Sequence, residues 1–293
     1  MATFHQWVEG ARPRTLPAAI APVIVGTGSS YAIGTANLGY GVLALLVAVS
    51  LQVGVNYAND YSDGIRGTDA DRVGPARLVG GKLATAANVK LAAFACFGFA
   101  ALCGLALVGL SESWFLLLVG AAAIWAAWHY TGGNKPYGYS GWGEVFVFVF
   151  FGLVATLATT WTQSHALDLA SVAGAIGVGA GSCAILVANN LRDIDGDAAA
   201  GKRTLAVRLG DARTRQLYVA LLGVTLLAVG GCAAVHWTAV LGLLALPLAW
   251  IPLREVQGGA TGMRLVPVLA STGRFQLAYG FLLGLGLYLA SRF

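Results

Sequence analysis

The feature that most constrains this chain is a succession of apolar stretches, each about as long as a bilayer core is thick. They fall near 16–35, 39–58, 91–110, 113–131, 142–161, 170–190, 216–235, 238–253 and 273–291. A helix crosses hydrocarbon with roughly 20 apolar residues. Backbone polar groups must be satisfied internally there, so each stretch is expected to be a helix. The sequence thus predicts an all-α, polytopic membrane protein, a single domain over 1–293, with about nine transmembrane helices around a central cavity open to the cytoplasmic side. Charged residues make up only 11% of the chain, against about 25% in soluble domains. The segment "MATFHQWVEGARPRT" lacks the basic start, apolar run and small-residue cleavage site of a signal peptide, so the first stretch is expected to be retained.

Charge placement gives the orientation. With the N-terminus in the cytoplasm and nine helices threaded, 17 of the 18 basic residues fall on one side, all but Arg292. Cytoplasmic loops carry the excess of Lys and Arg. The net charge of +5 therefore reads as topology in the inner or plasma membrane, not as a nucleic-acid surface. Cys96, Cys103, Cys183 and Cys232 lie inside expected helices without CxxC spacing and read as small apolar fillers.

Two long polar loops, 59–90 and 189–215, share the cytoplasmic side and open alike. "NYANDYSD" follows the second stretch and "NNLRDIDGD" the sixth, a hint of an internal repeat. In the first, Asn56, Asp60 and Asp63 stand at i, i+4 and i+7. In the second, Asn189, Asp193 and Asp197 stand four apart. On helices each set shares one face. Carboxylates near lipid are costly and repel one another, and a bound divalent cation relieves both costs. Oxygen donors suit Mg²⁺, which takes one or two carboxylates and completes its shell with water and substrate phosphate. Arg66, Arg72, Arg77, Lys135, Lys202 and Arg203 are candidate phosphate contacts. A metal–phosphate mouth on an apolar cavity points to a lipid diphosphate with its tail between helices. Isolated charges at helix ends more often mark topology; two matched Asn/Asp clusters favour a site.

At these residues the chain resembles the intramembrane (UbiA-type) prenyltransferase superfamily, and more closely its 1,4-dihydroxy-2-naphthoate polyprenyltransferase branch of menaquinone synthesis. The carrying segments are "RPRTLPAAIAPVIVGT", "NYANDYSDGIRGTDADRVGPARLV", "YTGGNKPYGYSGWGEVFVFVFFG" and "NNLRDIDGDAAAGKRTLAVRLG". The first motif departs from the commoner superfamily spacing: Gly67 takes the third acidic place and Asp69 follows two later, as in the naphthoate branch. That leaves open whether Asp69 or Asp71 touches metal. The resemblance implies Mg²⁺-dependent transfer of a polyprenyl group from its diphosphate to dihydroxynaphthoate, with loss of CO₂ and diphosphate. It implies that Asp60 and Asp63 hold one Mg²⁺ and Asp193 and Asp197 another, assisted by Asn56 and Asn189. Asn59 and Asn190 join the substrate-binding set. Tyr130 and Lys135 match the superfamily's tyrosine–lysine signature, with Lys135 a catalytic candidate. Tyr57, Tyr61, Tyr130 and Tyr137 are candidate faces for an allylic cation.

Other residues stay open. Arg12 and Arg14 either anchor lipid headgroups or clamp a substrate carboxylate. Glu144 either starts a helix or sits beside the acceptor. A general-base role for His129 is the less favoured reading. The competing class is a secondary transporter, although its site would more often lie near the midplane. Within the enzymes, 4-hydroxybenzoate or homogentisate are alternative acceptors. Prenyl length and oligomeric state are not encoded in any motif.

Overall fold

The computed structural model describes residues 2–67 and 77–292, and these contain helices and turns but no strand. The N-terminal helix α1, Phe4–Gly10, starts at Thr3, whose hydroxyl and Gln6 form a capping box. A short 3-10 turn, Pro13–Thr15, joins it to α2, Pro17–Ile33. The two limbs meet at a bend of 53°.

Helix α3, Leu38–Arg66, is capped by Asn37 and ends at Gly67 in the left-handed conformation that glycine adopts at no steric cost. It packs along α4, Ala86–Leu110. Helix α5, Leu116–His129, is shorter. Helix α6, Gly143–Ser164, contains a π-helical segment, Phe148–Val154. There a methyl group on Gly152 would stand 2.5 Å from the Gly179 Cα, so two backbones touch where the helix widens. Helix α7, Leu169–Arg192, is the most enclosed. Two short helices follow, α8 (Ile194–Ala199) and α9 (Leu205–Leu209), then α10, Asp211–Ala233. Helix α11, Trp237–Gln257, begins as a 3-10 segment through Ala245. Helix α12, Leu265–Ala290, closes the bundle against α2, α7 and α11.

Each expected apolar stretch falls on a helix among the described residues. Six of these helices are long and apolar enough to cross a membrane, and a seventh span arises if the bent α1–α2 pair counts as one. Two stretches miss that test for physical reasons. Helix α5 has 14 residues, and α12 carries Arg274 and Gln276 among its apolar residues. The chain is thus a multi-pass membrane protein. Exposed Leu102, Leu118, Leu227, Trp250 and Ile251 face outward, as lipid contact requires.

The tightest core gathers α2, α7, α10, α11 and α12 around Tyr218, Phe275, Tyr279 and Leu283. Glycine permits the closest approach: a Cβ on Gly28 would stand 2.4 Å from the Gly284 carbonyl oxygen, so α2 and α12 cross backbone to backbone, as small residues allow in membranes. The cysteines are free, and Cys103, Cys183 and Cys232 are buried, as fillers should be.

Candidate active site

A cavity of about 320 Å³ runs between α3, α4, α5, α6 and α7. Its wall includes both Ala44 and Asp63 of α3; nineteen residues at a rise of about 1.5 Å place its two ends roughly 28 Å apart, nearly a bilayer core. The far end is apolar, with Val23, Leu107, Val108 and Leu116. Midway, Phe146 lines it from the start of α6, and Phe150 and Phe151 from the π-helical part. At the other end stand Asn59, Asp63, Asn189, Asn190, Asp193, Asp197 and Lys202. The C-termini of α3 and α7 deliver most of these groups, with Asp197 on α8 and Lys202 in the loop after it, so the acids meet at one end and not at the midpoint.

The two acid clusters do face each other. The Lys202 Nζ lies 3.1 Å from Asp63 Oδ1 and 3.8 Å from Asp197 Oδ1, so those carboxylate oxygens are less than 7 Å apart. Asp63 also accepts a hydrogen bond from the Tyr139 hydroxyl and lies 3.7 Å from the Arg77 guanidinium. The Tyr139 ring sits beneath Lys202, 4.7 Å from its centroid. Opposite, Arg192 grips both Asp193 oxygens at 2.7 and 2.6 Å and reaches Asn189 Oδ1 at 2.9 Å. Helix α7 breaks at Asp193, which adopts φ −97°, and restarts as α8. The expected uninterrupted helix is therefore absent, yet Asn189, Asp193 and Asp197 all line the cavity, because α8 resumes after a single residue.

In the first motif the lining face differs from expectation. Asn56, Asn59 and Asp63, at i, i+3 and i+7, reach the cavity; Asp60 does not. Its carboxylate accepts the backbone N–H groups of Leu78 at 2.8 Å and Val79 at 2.9 Å. It thus anchors the returning chain that carries Arg77. Asn56 donates to the Ala11 carbonyl and Thr15 hydroxyl at 2.8 and 3.1 Å, tying the N-terminal turn to α3. Asn59 instead accepts from the Thr131 hydroxyl at 2.7 Å.

The basic candidates separate too. Lys202 and Arg77 line the cavity. Arg66 donates to the Thr131 and Gly133 carbonyls, fastening the loop after α5. Lys135 and Arg203 are exposed and outside the lining; the Arg203 backbone N–H donates to Tyr139, fixing that tyrosine's segment. Arg72, Asp69 and Asp71 lie outside the described residues. Of the aromatic candidates, Tyr130 and Tyr137 line the cavity. Tyr57 donates to the Trp7 carbonyl and Tyr61 stacks on Trp128, so both brace the outer packing. Burial pushes the Tyr137 phenol above its ordinary value, so its hydroxyl stays protonated and donates to the Ala126 carbonyl at 2.8 Å. His129 is turned to the Trp125 carbonyl. Glu144 is buried, with Asn190 donating to its Oε1 at 2.9 Å.

The sequence reading passed over Tyr139 and Arg192. Tyr139 stands two residues beyond Tyr137 in "YGYS", where alternation was a signal for it. Arg192 was counted only as a topology charge, and no spacing rule marks a base that clamps its own neighbour.

Fold and site together define a membrane-embedded helical bundle with an apolar tunnel and an acid-rich, base-studded mouth, an arrangement suited to a molecule with a charged head and an apolar tail. The chain belongs to the UbiA prenyltransferase family, whose model matches residues 19–258. It is 56% identical to the 1,4-dihydroxy-2-naphthoate octaprenyltransferase of Mycobacterium tuberculosis over 95% of each chain. It is 37% identical to the enzyme of the same name from Escherichia coli, covering 97% of this chain and 95% of the relative. A solved UbiA homolog from Archaeoglobus fulgidus bound to GPP and Mg²⁺ shares the fold, with a TM-score of 0.66 at 16% identity, over 95% of this chain and 99% of that one.

Proposed function

We propose that the chain transfers a polyprenyl group from polyprenyl diphosphate to 1,4-dihydroxy-2-naphthoate, releasing diphosphate and CO₂ and giving demethylmenaquinol. The observation that carries this reading is Lys202 standing between Asp63 and Asp197 at the mouth of an apolar tunnel. The names of the relatives support the acceptor.

Among the described residues no three carboxylates, histidines or cysteines gather into a ready-made metal cluster. The donor set nonetheless fits Mg²⁺, which binds through one or two carboxylates and shares its remaining positions with phosphate. Asp63 and Asn59 would hold it on one bank, and Asp193, Asp197 and Asn189 on the other. When bound, Mg²⁺ supplies neutralisation of the negative charge that develops on the departing diphosphate. Lys202 and Arg77 add positive charge beside it. Tyr130, Tyr137 and Phe146 offer π faces to the electron-poor allylic carbon, and the apolar tunnel excludes water that would otherwise capture it.

The bonds balance as follows. The donor C–O bond breaks and its electron pair leaves with diphosphate. Ring π electrons form a C–C bond at the carbon bearing the carboxylate, and the adjacent hydroxyl loses its proton, leaving a ring ketone. The bond to the carboxylate then breaks as CO₂ departs. Its electron pair moves into the ring as an enolate, which takes up a proton to restore the naphthalenediol.

The whole chain acts as one membrane domain in the cell membrane, with all nine helices crossing and the acid-rich mouth opening to the cytoplasm, the side on which the basic residues collect. The test is mass analysis of the lipid product after the purified protein meets dihydroxynaphthoate, Mg²⁺ and a series of prenyl diphosphates. The expected product has gained the prenyl group and lost CO₂. A product retaining the carboxylate, or prenylation only of 4-hydroxybenzoate or homogentisate, would contradict the assignment.

A further inference from the structure

The N-terminal turn brings an arginine into the tunnel. The Arg12 backbone carbonyl accepts from the Thr15 hydroxyl at 2.9 Å, and that hydroxyl accepts from Gln52 at 2.9 Å and Asn56 at 3.1 Å. Arg12 is therefore fixed level with the Gln52–Asn56 stretch of α3. Asp63 lies seven residues further along the same helix, roughly 10 Å nearer the mouth. Arg12 adopts φ 52°, a left-handed conformation that costs any residue with a Cβ, and its side chain lines the cavity. Its Nη2 is buried without a hydrogen-bond partner among the described residues. Arg14, two residues on, is exposed, so the two arginines have separate surroundings.

A guanidinium with one nitrogen shielded from water and unpartnered keeps its charge and is stabilised by an anion. The acids and bases that would hold the diphosphate, Asp63 among them, stand about two helical turns from the level of the Arg12 backbone, counted along α3. The reacting carbon of the donor is bonded to the diphosphate and stays at that end, so an aromatic acceptor aimed at it would fill the space before Arg12 and bring the guanidinium a second anion.

We propose that Arg12 is the binding residue for the carboxylate and neighbouring hydroxyl oxygen of the aromatic acceptor, an assignment that rests on the transfer reaction above. The fork of a guanidinium matches two adjacent oxygens. Both are in place before the C–C bond forms, which orients the carboxylate-bearing carbon toward the donor. When CO₂ leaves, the electron pair reaches the ring oxygen that Arg12 already touches, so the charge moves from one of its partners to the other. A guanidinium that held only the carboxylate would hinder that departure.

The test reads binding. Purified protein in nanodiscs is titrated with 1-hydroxy-2-naphthoate, which keeps both oxygens, with 1-naphthol, which lacks the carboxylate, and with farnesyl diphosphate plus Mg²⁺. Arg12→Gln weakens 1-hydroxy-2-naphthoate binding by about 10- to 100-fold, as expected for loss of a charged hydrogen-bonding partner. It leaves 1-naphthol and farnesyl diphosphate nearly unchanged. Arg12→Gly, favoured by the local φ, folds at least as stably as the parent and shows the same selective loss. Equal weakening for 1-naphthol and the naphthoate, or a larger loss for farnesyl diphosphate, overturns the assignment. Unchanged naphthoate binding in folded Arg12→Gly also overturns it. A parent chain that binds the naphthoate but forms no prenylated product instead sinks the proposed reaction and leaves the anion site standing.

Discussion

Among individual residues, the sharpest lesson is the division of work between neighbours. Asp60 and Asp63 are three apart on α3, yet one holds backbone and the other faces the cavity. A helical wheel places both near one face, and only the chain returning at Leu78 and Val79 decides which way Asp60 turns. That long-range contact is invisible in motif spacing. The same holds for Asn56, whose amide is taken by Ala11 and Thr15, and for Lys135, which the loop after α5 leaves exposed. By contrast Asp63, Asp193, Asp197, Asn189 and Lys202 were legible, because paired acids and bases at the end of an apolar helix have few other uses. Asp60→Asn is expected to cost about 1.5–3 kcal/mol of stability, since it weakens hydrogen bonds to a buried charged group. Thermal unfolding across a magnesium titration checks this. The loss should persist at every concentration, because the hydrogen bonds it weakens are those to the Leu78 and Val79 backbone. A variant of parental stability that needs only more magnesium would restore Asp60 to the metal.

At the scale of elements, apolar length located the nine long helices among the described residues but not the short α1, α8 and α9, and the other misjudged details are breaks within the long ones. The π-helical segment of α6 and the 3-10 start of α11 carry no residue signal as strong as proline. They follow from how Gly152 meets Gly179 and Gly286 meets Thr238 across a contact. The bend between α1 and α2 was partly legible in "RPRTLP", since proline fixes φ and favours helix starts. Glycines in helices look alike in sequence but differ in their neighbours. Gly28→Ala forces the α2–α12 crossing apart, for a Cβ there would lie 2.4 Å from a backbone oxygen. About 1–3 kcal/mol of destabilisation is expected, as for other overpacked sites. At Gly98 a Cβ meets nothing within 4 Å, so Gly98→Ala is neutral or stabilising by up to about 1 kcal/mol through helix propensity. Thermal unfolding of the two variants in one detergent distinguishes them.

At the scale of the whole molecule, the bundle joins two chemistries that water would spoil. One end of the tunnel concentrates charge and the remainder is apolar; in the proposed reaction the first would draw off the diphosphate and the second would shelter the tail. The sequence contained the two ends but not the distance between them. Opposition of the acid clusters depends on how α3 and α7 pack around α6, and here the Lys202 bridge supplies the evidence. The central claim is that both banks act together on one diphosphate. It is tested most directly by the rate of diphosphate release from a prenyl diphosphate, with dihydroxynaphthoate and saturating Mg²⁺, for Asp63→Asn and Asp193→Asn measured singly. Each is predicted to lose about 100- to 1000-fold, the scale of removing one electrostatic partner from a developing charge. Near-parental release by either variant would show that one bank suffices and would contradict the account.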